Sequence, residues 1–244
     1  MILDMSLSMV LVESAMQLVP DEIRLHHQIK QFARKRGRSP DEVLLDRAFH
    51  HTAMKQLSRT RHDPLPEKMG RPDIVHTSLL QVLETPLNWE NRLSVFVHTQ
   101  EDQLITINPK IRLPKNYTRF IGLMEQLFAE KKVPPNGEVL LRMEHLTLKQ
   151  FIEKHAPSKI IGFSRTGKPE LLRNVADSAA KTQSPMILIG AFPRGHFTEN
   201  TRRLLDEIYS VDKHMLDTWI IAGRFVYDFE LSIGSARRRL ETRK

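Results

Sequence analysis

An uninterrupted apolar run, MILI at residues 186–189, lies between a proline and a glycine. A short run of this kind, bounded by turn residues, predicts a strand that is buried on both faces, as in parallel sheets. Residues 190–195 then carry a glycine at each end, and Thr198 is a suitable N-cap for a helix at residues 200–206. Because open α/β sheets bind ligands beyond the carboxyl ends of their strands, this loop is a candidate binding site; an ordinary strand–helix turn is the alternative.

Strands and helices alternate along the rest of the chain. Short apolar runs or period-two alternation predict strands at residues 2–12, 93–98, 103–107, 139–143, 159–163 and 208–211. Apolar positions at helical spacing predict the start of a helix at residues 13–18 and helices at residues 21–36, 39–54, 74–83, 117–131, 147–155, 169–180 and 214–230. Residues 58–70 are predicted to be an exposed connection, and the charged tail at residues 237–244 to be frayed. The alternation predicts an α/β fold with parallel strand pairing.

The chain of 244 residues contains no cysteine. Disulfides, cysteine-ligated zinc and thiol catalysis are therefore excluded, which fits a reducing compartment. The formal net charge is +8, so the protein attracts phosphate backbones and other anionic surfaces, unless the charge serves solubility alone. No segment is long and apolar enough to span a bilayer, and residues 1–18, interrupted by Asp4 and Glu13, make a poor signal peptide. The adjacent histidines at residues 26–27 and 50–51 point to different sides of a helix, so they predict no metal site.

Residues 162–169, GFSRTGKP, match the phosphate-binding pattern G-x-x-x-x-G-K through Lys168. The next residue of that pattern is Ser or Thr, whose hydroxyl binds Mg²⁺, but Pro169 has neither a hydroxyl nor an amide hydrogen. The motif therefore argues against a nucleoside triphosphatase. Neither this stretch nor residues 190–196 has the G-x-G-x-x-G spacing of a Rossmann cofactor site.

Three cations, Arg112, Lys115 and Arg119, lie around the start of a predicted helix. Cations at this spacing can follow a phosphate backbone, and exposed Tyr117 and Phe120 could stack on unpaired bases. The alternative is a solvated helix start with Phe120 in the hydrophobic core. The residues alone leave both interpretations open.

Arg71 and Asp73 flank Pro72, and His76 follows on the predicted helix. A cation and a carboxylate on either side of a rigid residue can orient a substrate or perturb the affinity of a group for a proton. A surface salt bridge, which is commoner and contributes little to stability, is the alternative.

Several long stretches, in the same order along the chain, resemble one known family. They are RPDIVHTSLLQVLETPLN from residue 71, VFVHTQ from residue 95, INPKIRLPKNYTRFIGLMEQL from residue 107 and LIGAFPRGHF from residue 188, with VPDEIRLHH and SPDEVLLDRAFHHTAMKQL in the amino-terminal half. Over nearly its whole length the chain is similar to the Nep/Emg family of ribosome-biogenesis enzymes, and its short length resembles the archaeal members. The resemblance implies a single SPOUT-class methyltransferase domain over residues 1–244, with family-specific insertions. Its expected fold is a parallel sheet flanked by helices, with a carboxy-terminal trefoil knot.

The resemblance also implies an activity. Members of this family are homodimers that use S-adenosylmethionine to methylate N1 of a pseudouridine in small-subunit ribosomal RNA. For this chain we therefore expect that RNA as substrate, ribosomal proteins as neighbours during assembly, a cytoplasmic location, and neither a metal nor a membrane. An RNA-binding assembly factor whose methyl transfer is secondary or lost is the alternative.

By the same resemblance, the cofactor is expected against the knot loops, at Gly190, Gly195, Ile208, Tyr209, Ser210, Val211, Asp212 and Lys213. Arg112, Lys115 and Arg119 match RNA-contacting basic residues of the family. Arg71 and Asp73 match its substrate site and are expected to contact the RNA as well. Asp73 is the candidate to orient the ring N1–H or accept its proton. Arg71 is the candidate to hold the base or its phosphate and to stabilise developing negative charge.

Overall fold

The computed structural model describes residues 6–60 and 66–241. Within these residues the chain forms an eight-stranded sheet with helices on both faces. The strands are β1 (Leu7–Ser14), β2 (Leu93–Thr99), β3 (Gln103–Ile107), β4 (Lys132–Val133), β5 (Leu141–His145), β6 (Lys159–Pro169), β7 (Pro185–Gly190) and β8 (Glu207–Ser210). Their order across the sheet is β4-β5-β3-β2-β1-β7-β6-β8.

Five neighbouring strands of this sheet run parallel. β1 pairs with β2 on one side and with β7 on the other, β7 pairs with β6, and β6 pairs with β8. β3, β4 and β5 complete the sheet with antiparallel pairs. Residues 186–189 of β7 are at most 2% exposed. The predicted α/β fold and the predicted buried parallel strand are therefore confirmed.

The helices are α1 (Asp21–Arg24), α2 (His27–Lys35), α3 (Arg47–Thr60), α4 (Pro72–Leu83), α5 (Pro86–Trp89), α6 (Tyr117–Glu130), α7 (Leu148–His155), α8 (Leu172–Ala179), α9 (Glu199–Arg202), α10 (Thr218–Ser232) and α11 (Ser235–Glu241), with a 3-10 helix at Pro66–Lys68. α4, α6, α8 and α10 cover one face of the sheet, and α7 covers the other. Within residues 6–60 and 66–241, no helix is long and apolar enough to cross a membrane.

β1 lies at the centre of the core because its side chains alternate between the two faces of the sheet. Leu7, Met9 and Leu11 pack into the larger hydrophobic cluster beneath α4, α6, α8 and α10. Val10 and Val12 pack into the smaller cluster beneath α7. This double burial holds the carboxyl end of β1, and the strands beside it, in a fixed position.

Buried Glu125 joins the amino-terminal helices α1–α3 to α6. Its Oε2 accepts a hydrogen bond from Arg36 Nη2 at 2.7 Å and lies 3.1 Å from Arg38 Nε, while Oε1 accepts from Leu44 N at 3.2 Å. The Glu125 side chain is 0% exposed. The two guanidinium groups therefore neutralise a charge that would be costly to bury alone.

The helix start predicted at residues 13–18 is wrong. The strand predicted at residues 2–12 is β1 in the part that the structure describes, and it continues through Ser14. The backbone then pairs with a distant segment, since Leu45 N donates to Gln17 O at 2.9 Å. An apolar stretch of this length suits a buried strand as well as a helix, and tertiary pairing decides between them.

Two other amino-terminal helices are shorter than predicted. The helix predicted at residues 39–54 begins only at Arg47, because Asp46 caps it by accepting a hydrogen bond from a first-turn amide at 2.8 Å. The helix predicted at residues 21–36 is divided into α1 and α2, and His26 caps α2 in the same way at 3.2 Å. Asp46 and His26 are therefore the caps in the folded chain, and the Ser-Pro-Asp sequence at residues 39–41 does not begin a helix.

The remaining differences lie at element ends and in connections. The helix predicted at residues 200–206 ends at Arg202, and the helix predicted at residues 169–180 begins at Leu172 because β6 continues to Pro169. The helix predicted at residues 214–230 begins at Thr218, and the tail that was expected to be frayed forms α11 as far as Glu241. Residues 242–244 of that tail lie outside the described residues. Residues 61–65 of the connection predicted to be exposed at residues 58–70 lie outside the described residues. Its described part is partly buried, since Met69 is 0% exposed and packs beside α1–α3.

Candidate active site

A cavity opens at the carboxyl ends of the parallel strands β6, β7 and β8. Its walls include the loop at residues 191–198, called the cavity loop below, and the loop at residues 211–217 that leads to α10. The cavity volume is about 140 Å³, whereas roughly 10–15 Å³ suffices for one water molecule. It is therefore large enough for an organic ligand, and it lies where open α/β sheets bind their ligands.

Six of the eight predicted cofactor residues line this cavity. They are Gly190, Gly195, Tyr209, Ser210, Val211 and Asp212. Ile208 and Lys213, at the two ends of the predicted segment 208–213, are not among the lining residues. Phe163 of β6 and Trp219 of α10 also line the cavity, and neither was predicted from the sequence. An apolar side chain at the end of an element carries no local signal that distinguishes a cavity wall from the core.

Glycine is needed at two positions of this site because the chain packs closely there. Gly195 has a φ of +95°, which favours glycine, and a Cβ at this position would lie 3.0 Å from Lys68 Cε. A Cβ at Gly190 would lie 2.7 Å from the ring of Phe192. Thr218 Oγ1 donates to Gly190 O at 2.7 Å, so α10 begins against the end of β7.

An ion pair that the sequence analysis did not identify holds the cavity loop. Glu13, at the end of β1, is 7% exposed, and its Oε2 accepts a hydrogen bond from Lys68 Nζ at 3.0 Å. Its Oε1 accepts from Thr198 N at 2.7 Å. Lys68 Nζ also donates to His196 O at 2.5 Å and lies 4.1 Å from the centre of a phenylalanine ring of the loop. The pair members are 55 residues apart, so no local pattern could have linked them.

Arg71 and Asp73 form the predicted pair at the edge of the same cavity. Arg71 lines the cavity, and its backbone N–H donates to Ala15 O at 2.8 Å, just beyond β1. Its Nε donates to Asp73 Oδ1 at 2.8 Å, and its Nη2 donates to Asp73 Oδ2 at 2.7 Å. This bidentate contact raises the pKa of Arg71. Arg71 therefore lies at one site with the candidate cofactor residues. Asp73 is not among the lining residues and is joined to the site through Arg71.

His76 connects α4 to the loop that carries the predicted RNA-contacting cations. Its Nε2 lies 2.7 Å from Pro114 O, and its ring stacks on Phe120 with 4.3 Å between the ring centres. Burial lowers the pKa of His76, so a neutral ring donates to the carbonyl oxygen. His76 is therefore a structural link between α4 and this loop.

Asp46 and Tyr117 form a second link to the same loop. The Tyr117 hydroxyl donates to Asp46 Oδ2. Burial raises the pKa of Asp46, and burial together with the Asp46 carboxylate raises the pKa of Tyr117. His50 Nδ1 accepts from Asp46 N at 3.0 Å, and burial lowers the pKa of His50 to about 4. A neutral imidazole therefore supports Asp46 beneath the cation-bearing loop.

The three predicted RNA-contacting cations, Arg112, Lys115 and Arg119, are all exposed. Lys115 forms a single ion pair, at 3.5 Å, whose two side chains are both largely exposed and which contributes little to stability. Phe120 is 0% exposed, and Tyr117 is half-buried against α3. Base stacking by Phe120 is therefore a wrong expectation, because this ring anchors α6 in the core.

Residues 162–169 form the end of β6 and not a phosphate-binding loop. β6 pairs with β8 on both sides of an irregularity at residues 164–167. A Cβ at Gly167 would lie 2.6 Å from the backbone carbonyl carbon of Tyr209, and a Cβ at Gly162 would lie 2.6 Å from a leucine side chain. The glycine spacing that resembles a phosphate motif therefore results from close packing.

Comparison with known proteins identifies the family of the chain. A model of the EMG1/NEP1 methyltransferase family matches residues 9–230. The "Ribosomal RNA small subunit methyltransferase Nep1" of Pyrococcus furiosus is 36% identical over 93% of this chain and 97% of its own, and that of Staphylothermus marinus is 39% identical over 92% and 95%. The crystal structure of Archaeoglobus fulgidus Nep1 bound to S-adenosylhomocysteine superimposes with a TM-score of 0.79 at 31% identity, covering 94% of this chain and 99% of that one. The chain therefore belongs to the EMG1/NEP1 methyltransferase family.

Proposed function

We propose that this protein transfers a methyl group from S-adenosylmethionine to N1 of a pseudouridine in small-subunit ribosomal RNA. The observation that carries the proposal is that Arg71, bound to Asp73 through two hydrogen bonds, lines the same cavity as Gly190 and residues 209–212. The names of the relatives support the RNA substrate, and the S-adenosylhomocysteine in the Archaeoglobus structure supports the cofactor.

The cavity has the features that a nucleoside-containing cofactor needs. Leu216 and Trp219 provide apolar wall, and Val211 and Asp212 provide main-chain groups just beyond the last paired residue of β8. A side chain at position 190 would displace the ring of Phe192. The absence of a side chain at Gly190 therefore keeps this end of the cavity open. We infer that these residues hold S-adenosylmethionine. When it is bound, its sulfonium supplies an electrophilic methyl group.

Asp73 is our candidate for binding the reacting base. Methylation forms a bond from N1 to the methyl carbon while the bond from that carbon to sulfur breaks, and N1 loses its proton. A carboxylate beside the cavity can accept a hydrogen bond from N1–H and so orient the ring. Arg71 fixes both Asp73 oxygens, and its charge can stabilise negative charge that develops on the ring. The target nucleotide must be unpaired or flipped for N1 to reach this position.

Arg112, Lys115 and Arg119 are our candidates for phosphate contacts. They are exposed, and buried contacts fix the loop beneath them to α3 and α4. α4, which contacts this loop through His76, begins at Pro72, directly after Arg71. An RNA strand that follows the three cations would therefore reach the edge of the cavity, where the target base is needed.

A homodimer is the proposed working state. Tyr227 of α10 is 60% exposed and Leu171, just before α8, is 68% exposed, so a second copy would find large apolar side chains to bury. By the family resemblance, we expect residues 190–197 and 208–213 to form two loops of the trefoil knot, with residues 214–230, which include most of α10, threading back through them. A role in small-subunit assembly would place the protein in the cytoplasm among ribosomal proteins.

The test measures transfer of a labelled methyl group from S-adenosylmethionine to two matched RNA hairpins, one with uridine and one with pseudouridine at the target position. We expect labelling of the pseudouridine hairpin alone, because N1 of uridine is bonded to ribose and carries no proton. Labelling of both hairpins would mean that another atom is methylated. Labelling of neither, with the RNA still bound, would support an assembly factor without methyl transfer.

A further inference from the structure

The irregular end of β6 brings a second arginine to the cavity. Arg165 lies within residues 164–167 and lines the cavity together with Arg71. In the sheet β7 separates β6 from β1, and Arg71 is bonded through its backbone to Ala15, just beyond β1. Arg71 and Arg165 therefore flank the end of β7 from its two sides.

Three contacts hold this irregularity in place. Gly167 packs directly on the backbone of β8, where a Cβ would lie 2.6 Å from a carbonyl carbon. Ser164 Oγ lies 3.3 Å from His196 Nδ1 of the cavity loop, and Arg202 Nη1 donates to Thr166 Oγ1 at 3.3 Å. Irregularities of this kind re-aim side chains beside active sites. Here β8, the cavity loop and α9 together fix the backbone that carries Arg165.

Arg194 adds a second cation, on the cavity loop itself. It lies near Arg47, whose pKa is lowered by burial and by the charges of Arg71 and Arg194. Arg165 and Arg194 are both exposed, and within residues 6–60 and 66–241 neither forms an ion pair. The carboxylates that line the cavity, Asp212 and Asp217, belong to the loop that leads to α10. Exposed positive charge is therefore present on both β6 and the cavity loop, where it favours a polyanionic partner.

We propose that Arg165 and Arg194 bind backbone phosphates of the substrate RNA in addition to Arg112, Lys115 and Arg119, an inference that rests on the proposed function. The RNA strand then crosses the mouth of the cavity past Arg194 and on to Arg165, with the target nucleotide turned inward. Residues 162–169 thus contribute to phosphate binding through an exposed arginine, while their glycines serve packing.

The test measures binding of a fluorescent pseudouridine hairpin to the full chain at a series of salt concentrations. The double variant Arg165→Ala/Arg194→Ala is compared with Lys132→Ala/Arg142→Ala, which removes the same charge from exposed positions on β4 and β5, towards the other edge of the sheet. Loss of two phosphate contacts should weaken binding about ten-fold near physiological salt and reduce the slope of log K against log salt by about 1.4. The control should keep the wild-type slope.

A second measurement, calorimetric titration with S-adenosylhomocysteine, separates the RNA from the cofactor as the partner of these arginines. We expect the first double variant to keep the wild-type affinity for S-adenosylhomocysteine. A wild-type salt slope in that variant would overturn the inference while leaving the proposed function intact. Weaker S-adenosylhomocysteine binding with unchanged RNA binding would also overturn it, since the arginines would then serve the carboxylate of the cofactor. If the wild-type chain neither binds nor methylates the hairpin, the proposed function itself fails.

Discussion

The cavity and the cation-bearing surface at residues 112–119 are built in different ways. The cavity depends on backbone that can pack closely, at Gly190 and Gly195, and on a distant ion pair that holds its loop. The surface depends on exposed side chains, carried by a loop whose backbone is fixed by buried contacts of His76 and Tyr117. Added atoms, or loss of this ion pair, should therefore damage the cavity, whereas loss of exposed cations or of the buried support should damage the surface.

The largest effect that we expect is a loss of stability at acid pH, caused by His50 beneath the cation-bearing surface. Burial lowers the pKa of His50 from 6.5 to about 4. Between these pH values the unfolded chain binds a proton that the folded chain does not, so the free energy of unfolding falls as the pH falls, by at most about 3 kcal/mol. In His50→Asn, whose amide oxygen can accept from Asp46 N in place of Nδ1, this loss should disappear.

Urea denaturation at pH 7 and near pH 4.5 checks this expectation. The matched control is His51→Asn, since His51 is the exposed neighbour on the same helix. The control should lose as much stability on acidification as the wild type, and His50→Asn should lose less. Equal losses in all three proteins would assign the acid sensitivity to other groups.

Gly190→Ala should damage the cavity and spare the surface. The new methyl group would lie 2.7 Å from the ring of Phe192, so the cavity loop must shift. Because overpacking costs roughly 1–3 kcal/mol, we expect S-adenosylhomocysteine to bind roughly 10- to 100-fold more weakly. Calorimetry measures this, beside Gly122→Ala, whose new methyl group would be 3.8 Å from its nearest neighbour. Unchanged affinity in Gly190→Ala would contradict the assignment of Gly190 to the cofactor site.

Lys68→Met should loosen the cavity loop without adding atoms to the cavity. The substitution leaves the Glu13 carboxylate and His196 O without their shared partner. We expect about ten-fold weaker S-adenosylhomocysteine binding and faster hydrogen exchange at the Thr198 amide, with partial recovery in Lys68→Arg. Lys149→Met, which removes only an exposed ion pair, is the control. Wild-type exchange at Thr198 would show that Lys68 does not hold the loop.

Arg112→Ala should have the smallest effect, and only on RNA binding. Loss of one phosphate contact weakens binding by about four-fold near physiological salt and reduces the salt slope by about 0.7. Affinity for S-adenosylhomocysteine should not change, because Arg112 lies outside the cavity lining. Hairpin binding at several salt concentrations provides the measurement. A slope equal to that of the wild type would remove Arg112 from the phosphate contacts.

Local patterns predicted the elements whose burial is decided by neighbouring residues. The apolar run at residues 186–189 became β7, and the amphipathic pattern at residues 117–131 became α6. Predictions failed where a distant partner decides the backbone. Residues 13–18 pair with the segment near Leu45, and Asp46, which caps α3, is bound by the Tyr117 hydroxyl. Sequence order alone does not contain these contacts.

The site divides in the same way. Glycines in a loop after a strand, and Arg71 and Asp73 around a proline, are visible locally, and the family resemblance gave them candidate roles. The ion pair of Glu13 and Lys68 was invisible, because its members are 55 residues apart and either could have been an ordinary surface charge. Only the folded chain shows that both lie against the cavity loop.

The cavity and the surface meet at Arg71 and Asp73, so the most direct measurement is methyl transfer by Asp73→Asn. The rate is measured in a single turnover on the pseudouridine hairpin, with S-adenosylmethionine and RNA saturating, beside Asp41→Asn at an exposed position. Asparagine keeps the shape of the side chain but not its charge, so we expect a rate about 100-fold lower with unchanged affinities for RNA and S-adenosylhomocysteine. A rate equal to that of the wild type, with both affinities intact, would contradict the role of Asp73 at N1.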